Sequence, residues 1–229
     1  MFIAGVSMVT AVGGDALMTA AAVKAGVSAI QESPYFNKRF EPIKMASVPE
    51  GALATLDPDV ADRLPALSAR EMRLLRLSGG AFSDEMREAV GGGPITVLLA
   101  GPEDLFPGRV DVMGPSFMQA LAQQLAIDIH VNTSRRFAIG RAGVIKAIDY
   151  AFQYMDATGV PRVLLGAVDT YRDHGLLGVL DAQDRLLAPG VPDGFAPGEA
   201  AVFLLLSRSS EKPGNGVRQV HLSRPGLGQ

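Results

Sequence analysis

Apolar and polar positions along this 229-residue chain fall into short, sharply bounded runs. FIAGVSMVT (2–10) is apolar and β-rich, which predicts a buried strand. Gly13 and Gly14 break it, and Asp15 is placed to cap a helix over about 16–25. ITVLLAG (95–101), PRVLLGAVD (161–169) and AAVFLLLSR (200–208) are continuous apolar runs, as in strands buried on both faces. IDIHVN (127–132) predicts a further strand, and the alternation of VRQVHLSR (217–224) predicts one near a sheet edge. Ser68-Ala-Arg-Glu71 forms a capping box that opens a helix reaching 90, with Gly79-Gly80 as its weak point. SFMQALAQQLA (116–126) and the stretch from about 138 to 156 predict two more helices. Residues 27–66 carry five prolines and read as a long surface excursion.

Strands and helices alternate through residue 169, which predicts a mostly parallel sheet with helices on both faces. The last two strands follow without a helix between them, which permits an antiparallel edge. No internal repeat is evident, and the length suits one α/β domain spanning 1–229.

Composition narrows the chemistry. The net charge of −3, with both signs interspersed, gives no basic face for nucleic acid. With no cysteine, the chain has no disulfide, no thiolate metal site and no cysteine nucleophile. The three histidines lack i,i+4 spacing, so no metal site and no cofactor are expected. The apolar N-terminus lacks a basic start and is broken by Gly13-Gly14-Asp15, so it is expected to be strand, turn and helix, not a signal peptide. No run reaches the ~20 apolar residues of a membrane span. A cytoplasmic location follows as an expectation.

Three segments, IAGVSMVTAVGGD, LLGAVDTY and PDGFAPGEAAVFLLL, resemble the N-terminal half of the β-ketoacyl synthases of the thiolase-like superfamily. The third is the most specific, although it lacks the arginine that often precedes its aspartate. The resemblance covers about 2–208. It implies a thiolase-like half: a mixed, mostly parallel five-stranded sheet in the order 3-2-1-4-5. It also implies a second, similar half that normally stacks against this one and carries two catalytic histidines. Laid on the family pattern, NTSRRFAIGRAGVIKAIDYA (132–151) puts Ala138 where the acyl-accepting cysteine belongs. Gly140 then comes early, and Arg141 stands where glycine is usual.

A methyl group cannot form a thioester. Ala138 is thus either an ancestral site turned to ligand binding or a residue packed at a helix start. His130, on the predicted strand, sits four residues before Ser134, an even spacing that puts both on one face of an extended chain. They are a nucleophile–base candidate or two ordinary hydrogen-bonding groups. Arg135 and Arg136, beside Phe137, are candidates for gripping a phosphate or a phosphopantetheine arm, against an ordinary solvated pair. Glu199, between Gly198 and small residues, enters an apolar strand and must be paired there. The resemblance makes it structural, together with Gly198 and Asp193.

The 138–156 helix is apolar round more than one stripe and expects cover on all sides. The expectation is a non-catalytic binding, adaptor or assembly subunit. It would form a homodimer through the IDIHVN strand, or a heteromer with a synthase-like or assembly partner or an acyl carrier protein. Two alternatives stay open: an acyltransferase component completed by a partner chain, and an acyl-CoA or acyl-carrier binding module.

Overall fold

The computed structural model describes residues 1–63, 67–103, 112–210 and 220–226. Residues 217–219 of the expected terminal strand lie outside them. Strand β1 (Phe2–Thr10) leads through the Gly13–Gly14 turn to α1 (Ala16–Lys24). Asp15 caps α1, its Oδ1 accepting the Met18 N–H at 2.7 Å. The proline-rich excursion holds a hairpin of β2 (Gln31–Phe36) and β3 (Pro42–Met45), then α2 (Pro58–Arg63). α3 (Ala69–Ala81) opens with the capping box of Ser68 and Glu71. It ends at Phe82, not at Gly79-Gly80, and Ser83 caps α4 (Asp84–Val90). The glycines serve close approach instead: a Cβ on Gly80 would lie 2.3 Å from the Ala52 carbonyl oxygen.

β4 (Val97–Ala100) is buried at every position. α5 (Pro115–Leu125) ends at Ala126, whose φ of 51° is left-handed. The expected strand at 127–132 does not form. Ile129 makes a single bridge to Ile95, and the Thr133 and Ser134 N–H groups turn back onto the His130 carbonyl. Val131 is 74% exposed. The strand comes one turn later as β5 (Arg135–Phe137), which delays the helix to α6 (Gly143–Thr158). A helix that the sequence reading did not predict, α7 (His174–Ala182), lies between β6 (Arg162–Thr170) and β7 (Glu199–Ser207). Asp173 caps α7 through the Leu176 N–H at 2.7 Å, and Leu176, Leu177 and Leu180 bury one face. The polar stretch before α7 and the glycines within it hide this helix from a periodicity reading. β8 (Val220–His221) closes the described chain.

The main sheet runs β5-β4-β6-β7-β1-β8. β5, β4 and β6 are parallel neighbours, and β7 is antiparallel to both β6 and β1. With β5 in place of the expected third strand, the order of the first five is therefore 3-2-4-5-1, not 3-2-1-4-5. Burial explains the correction. β6 and β7 are shielded along most of their length and take the centre, whereas most of β1 is only half-buried and lies further out.

The strand period of two divides the core. Val97, Leu99, Leu164 and Phe203 join α3, α4 and α5 on one face. Leu98, Val163, Leu165 and Leu206 meet Ala147, Ala151 and Met155 of α6 on the other. α6 is more amphipathic than expected: Lys146, Gln153 and Asp156 are exposed on its outer side, with Ile145 half in solvent. Part of the missing cover is the chain itself. Leu222 packs on the α6 cluster, and Arg224 Nε binds Asp149 Oδ1 at 2.7 Å.

Candidate functional site

The residues singled out in 130–138 do not converge on one centre. The Ser134 hydroxyl accepts the Val97 N–H at 2.9 Å and so caps the start of β4. His130 lines a separate hollow with Ile95 and Thr96, also at that start. Arg135 stacks over Tyr150, 4.5 Å from the ring centroid, and the Phe137 ring is 5.9 Å from the same ring. Arg136 lies on β5 opposite Leu99 and is partnered as well. Ala138 sits in the loop that leaves β5.

The sharp bend falls two residues later. Gly140 has φ of 61°, a conformation that glycine adopts without penalty, and its N–H donates to the Gly101 carbonyl at 3.1 Å. Just beyond, a Cβ on Gly143 would lie 2.8 Å from the Phe137 carbonyl oxygen. The start of α6 is thereby pressed onto the C-terminal ends of β4 and β5. In open α/β sheets that end of the strands is where ligands bind.

A cavity of about 370 Å³ opens at this bend. Its polar wall is Arg70, Glu103, Arg141, Asp169, Tyr171 and Arg185. An adjoining, more open groove of about 380 Å³ is apolar, with Val144, Ala200 and Val202 in its wall. Gly140, Arg141, Asp169 and Tyr171 border both.

Asp169, the penultimate residue of β6, lies in the cavity wall. It sits deep among protein atoms, yet 38% of its side chain still meets the cavity. Its Oδ1 accepts the Thr170 N–H at 2.7 Å and pairs with Arg70 Nη2 at 3.3 Å. Burial pushes its carboxyl above the usual aspartate value, and Arg70 offsets only part of that. Burial also raises the Tyr171 phenol, the Asp169 charge adds to the rise, and Arg141 opposes it.

Behind this wall lies a buried ion network. Glu199, its side chain 1% exposed, receives Arg73 Nε at 2.9 Å and Nη2 at 2.5 Å. It also accepts the Thr170 hydroxyl at 2.7 Å and the Val48 N–H at 2.9 Å. Arg73 reaches on to Glu50, which also holds Arg76 and Arg172, each at 3.1 Å. Gly198 precedes this carboxylate, bridging Ala46 and accepting the Tyr171 N–H. Asp193 is exposed in the preceding turn.

None of the described residues lining the cavity or the groove is Ser, Thr, Cys, His or Lys. Among its described residues the site therefore holds carboxylates, guanidiniums and a phenol, but no hydroxyl–imidazole or thiol–imidazole pair. Among the described residues no group of three or more His, Asp or Glu could hold a metal ion. Sequence reasoning missed Asp169 and Tyr171 as site residues. Their signal was position: they flank the end of an apolar strand, at the C-terminal edge of the sheet. Arg70 and Arg185 come from distant segments that only the fold assembles.

The fold of this chain matches part of the ketosynthase fold. A ketosynthase from Xenorhabdus doucetiae, solved in complex with its chain length factor, superposes with TM-score 0.67 at 16% identity. The match covers 92% of this chain and 58% of that one. The ketosynthase from module 6 of the bacillaene synthase of Bacillus subtilis 168 gives TM-score 0.64 at 14% identity, covering 90% of this chain and 40% of that one. A type II polyketide ketosynthase in complex with its acyl-carrier protein gives TM-score 0.60 at 14% identity, covering 90% and 57%. The chain thus spans about half the length of these structures. No family model and no curated protein matches the sequence.

Proposed function

We propose that this chain is a non-catalytic, ketosynthase-like subunit that acts by binding and assembly. The observation that carries this reading is the bend itself. Neither Ala138 nor Gly140 offers a nucleophile, and the described walls around the bend supply no serine, threonine, cysteine, histidine or lysine. The ketosynthase neighbours solved with a chain length factor or an acyl-carrier protein support a synthase-like or carrier partner for this chain too.

β5 stands at one edge of the main sheet. Its outer backbone groups offer a pairing edge to a second copy or to a partner subunit. With the strand formed at 135–137, that edge replaces the one expected at 127–132. The chain spans about half of its neighbours, which also supports a second reading, a synthase component completed by another chain. Incubation with acyl-CoA followed by intact-mass measurement separates the two. The proposed role leaves the mass of 24.0 kDa unchanged both alone and after addition of the partner that co-purifies. A stable acyl adduct on this chain overturns it.

A further inference from the structure

The cavity at the Gly140 bend has an unusual balance of charge. Arg70 is engaged by Asp169. Arg141 and Arg185 have no ion-pair partner among the described residues, and Glu103 is the one remaining carboxylate in the wall. Among the described residues of the wall, one positive charge is left in excess. Arg185 is steadied by stacking on Phe195, 5.7 Å from guanidinium carbon to ring centroid, and Phe195 in turn meets Tyr171 edge-on at 5.5 Å. This aromatic support fixes a charged group at the rim without neutralising it. The groove beyond Gly140 is apolar.

We propose that this cavity binds a small monocarboxylate with a short aliphatic tail. Arg141 and Arg185 hold the carboxylate, and the tail lies in the groove beside Val144, Ala200 and Val202. A guanidinium is a planar, permanently charged fork that matches a carboxylate. A single excess charge matches a monoanion, whereas a dianion would meet the carboxylates of Glu103 and Asp169 without compensation. The combined space, with an apolar body and a few convergent polar groups, has the character of a small-molecule site. The inference rests on the same cavity being a non-reacting site, because nothing in its described wall would consume the ligand.

Isothermal titration calorimetry on the purified chain tests it, with sodium octanoate, 1-octanol and inorganic phosphate as the probes. Octanoate is expected to bind, octanol at least about tenfold more weakly, and phosphate not measurably. Arg141→Gln and Arg185→Gln are each expected to weaken octanoate by at least about tenfold with unchanged melting temperature, since both side chains are exposed. Equal binding of octanol and octanoate, tighter binding of phosphate, retained affinity in both variants, or no octanoate binding at all overturns the proposal. Intact-mass measurement reads the non-catalytic role separately, so failure of one reading leaves the other standing.

Discussion

Glu199 and Asp169 are two carboxylates at the same end of the β6–β7 pairing, and their surroundings set them to different tasks. Glu199 pairs next to Thr170, one residue from Asp169. Glu199 is saturated by Arg73, Thr170 and Val48, so Glu199→Gln leaves a buried guanidinium partly uncompensated. Urea unfolding should show a loss of about 3 kcal/mol. A loss below about 0.5 kcal/mol would mean that Glu50 alone neutralises Arg73. Asp169 has the opposite character. Its folded-state pKa is raised by burial, so its contribution to stability is present at low pH. That contribution is lost as pH rises from the ordinary aspartate range through the raised value. Asp169→Asn cannot titrate. Relative to wild type, it should therefore gain stability across that window in denaturation curves taken at successive pH values. A relative loss would contradict the sign. The pairing of Glu199 was legible in the chain, because a carboxylate entering FLLL must have a partner. The identity of that partner was not, since Arg73 lies 126 positions away. Asp169 looked like one more strand residue until the fold set it in a cavity wall.

At the scale of elements, local chemistry was the readable part. The capping box of Ser68 and Glu71 and the cap at Asp15 form as their spacing predicts. Ser68→Ala should cost about 1 kcal/mol, read from thermal or urea unfolding. Gly166 makes a sharper claim about packing. A Cβ there would stand 2.7 Å from Phe203 Cε1 and 2.9 Å from Leu99 Cδ1, both on fully buried side chains. Gly166→Ala should destabilise by about 1–3 kcal/mol through overpacking, and a neutral result would show that the β6–β7 layer can give way. What misled the reading was alternation without partners. IDIHVN has a strand's period, yet its backbone groups close a turn at His130. The α7 helix failed to stand out for the converse reason, because its leucines follow a polar cap and are interrupted by Gly175 and Gly178. The first error shifted the expected bend and the expected pairing edge along the chain.

At the scale of the whole molecule, the fold class was legible because apolar runs and their order mark a layered α/β sheet. The strand order was not. It depends on which apolar strands are covered from both sides, and so on contacts far apart in sequence. The chain combines a sheet matched by part of the ketosynthase structures with a glycine bend and a buried ion network of its own. It also leaves exposed surface that its own core does not use. α1 buries none of its residues, and Leu17 is 83% exposed on it. Among the described residues, β5 has a strand neighbour on one side only. These features fit a subunit whose role is completed by another chain. The most direct test is the molar mass of the native protein, measured by light scattering during size exclusion at micromolar concentration. The account predicts a mass well above the 24.0 kDa of one chain, as a dimer or with a co-purifying partner. A homogeneous species of 24.0 kDa with nothing bound would contradict it.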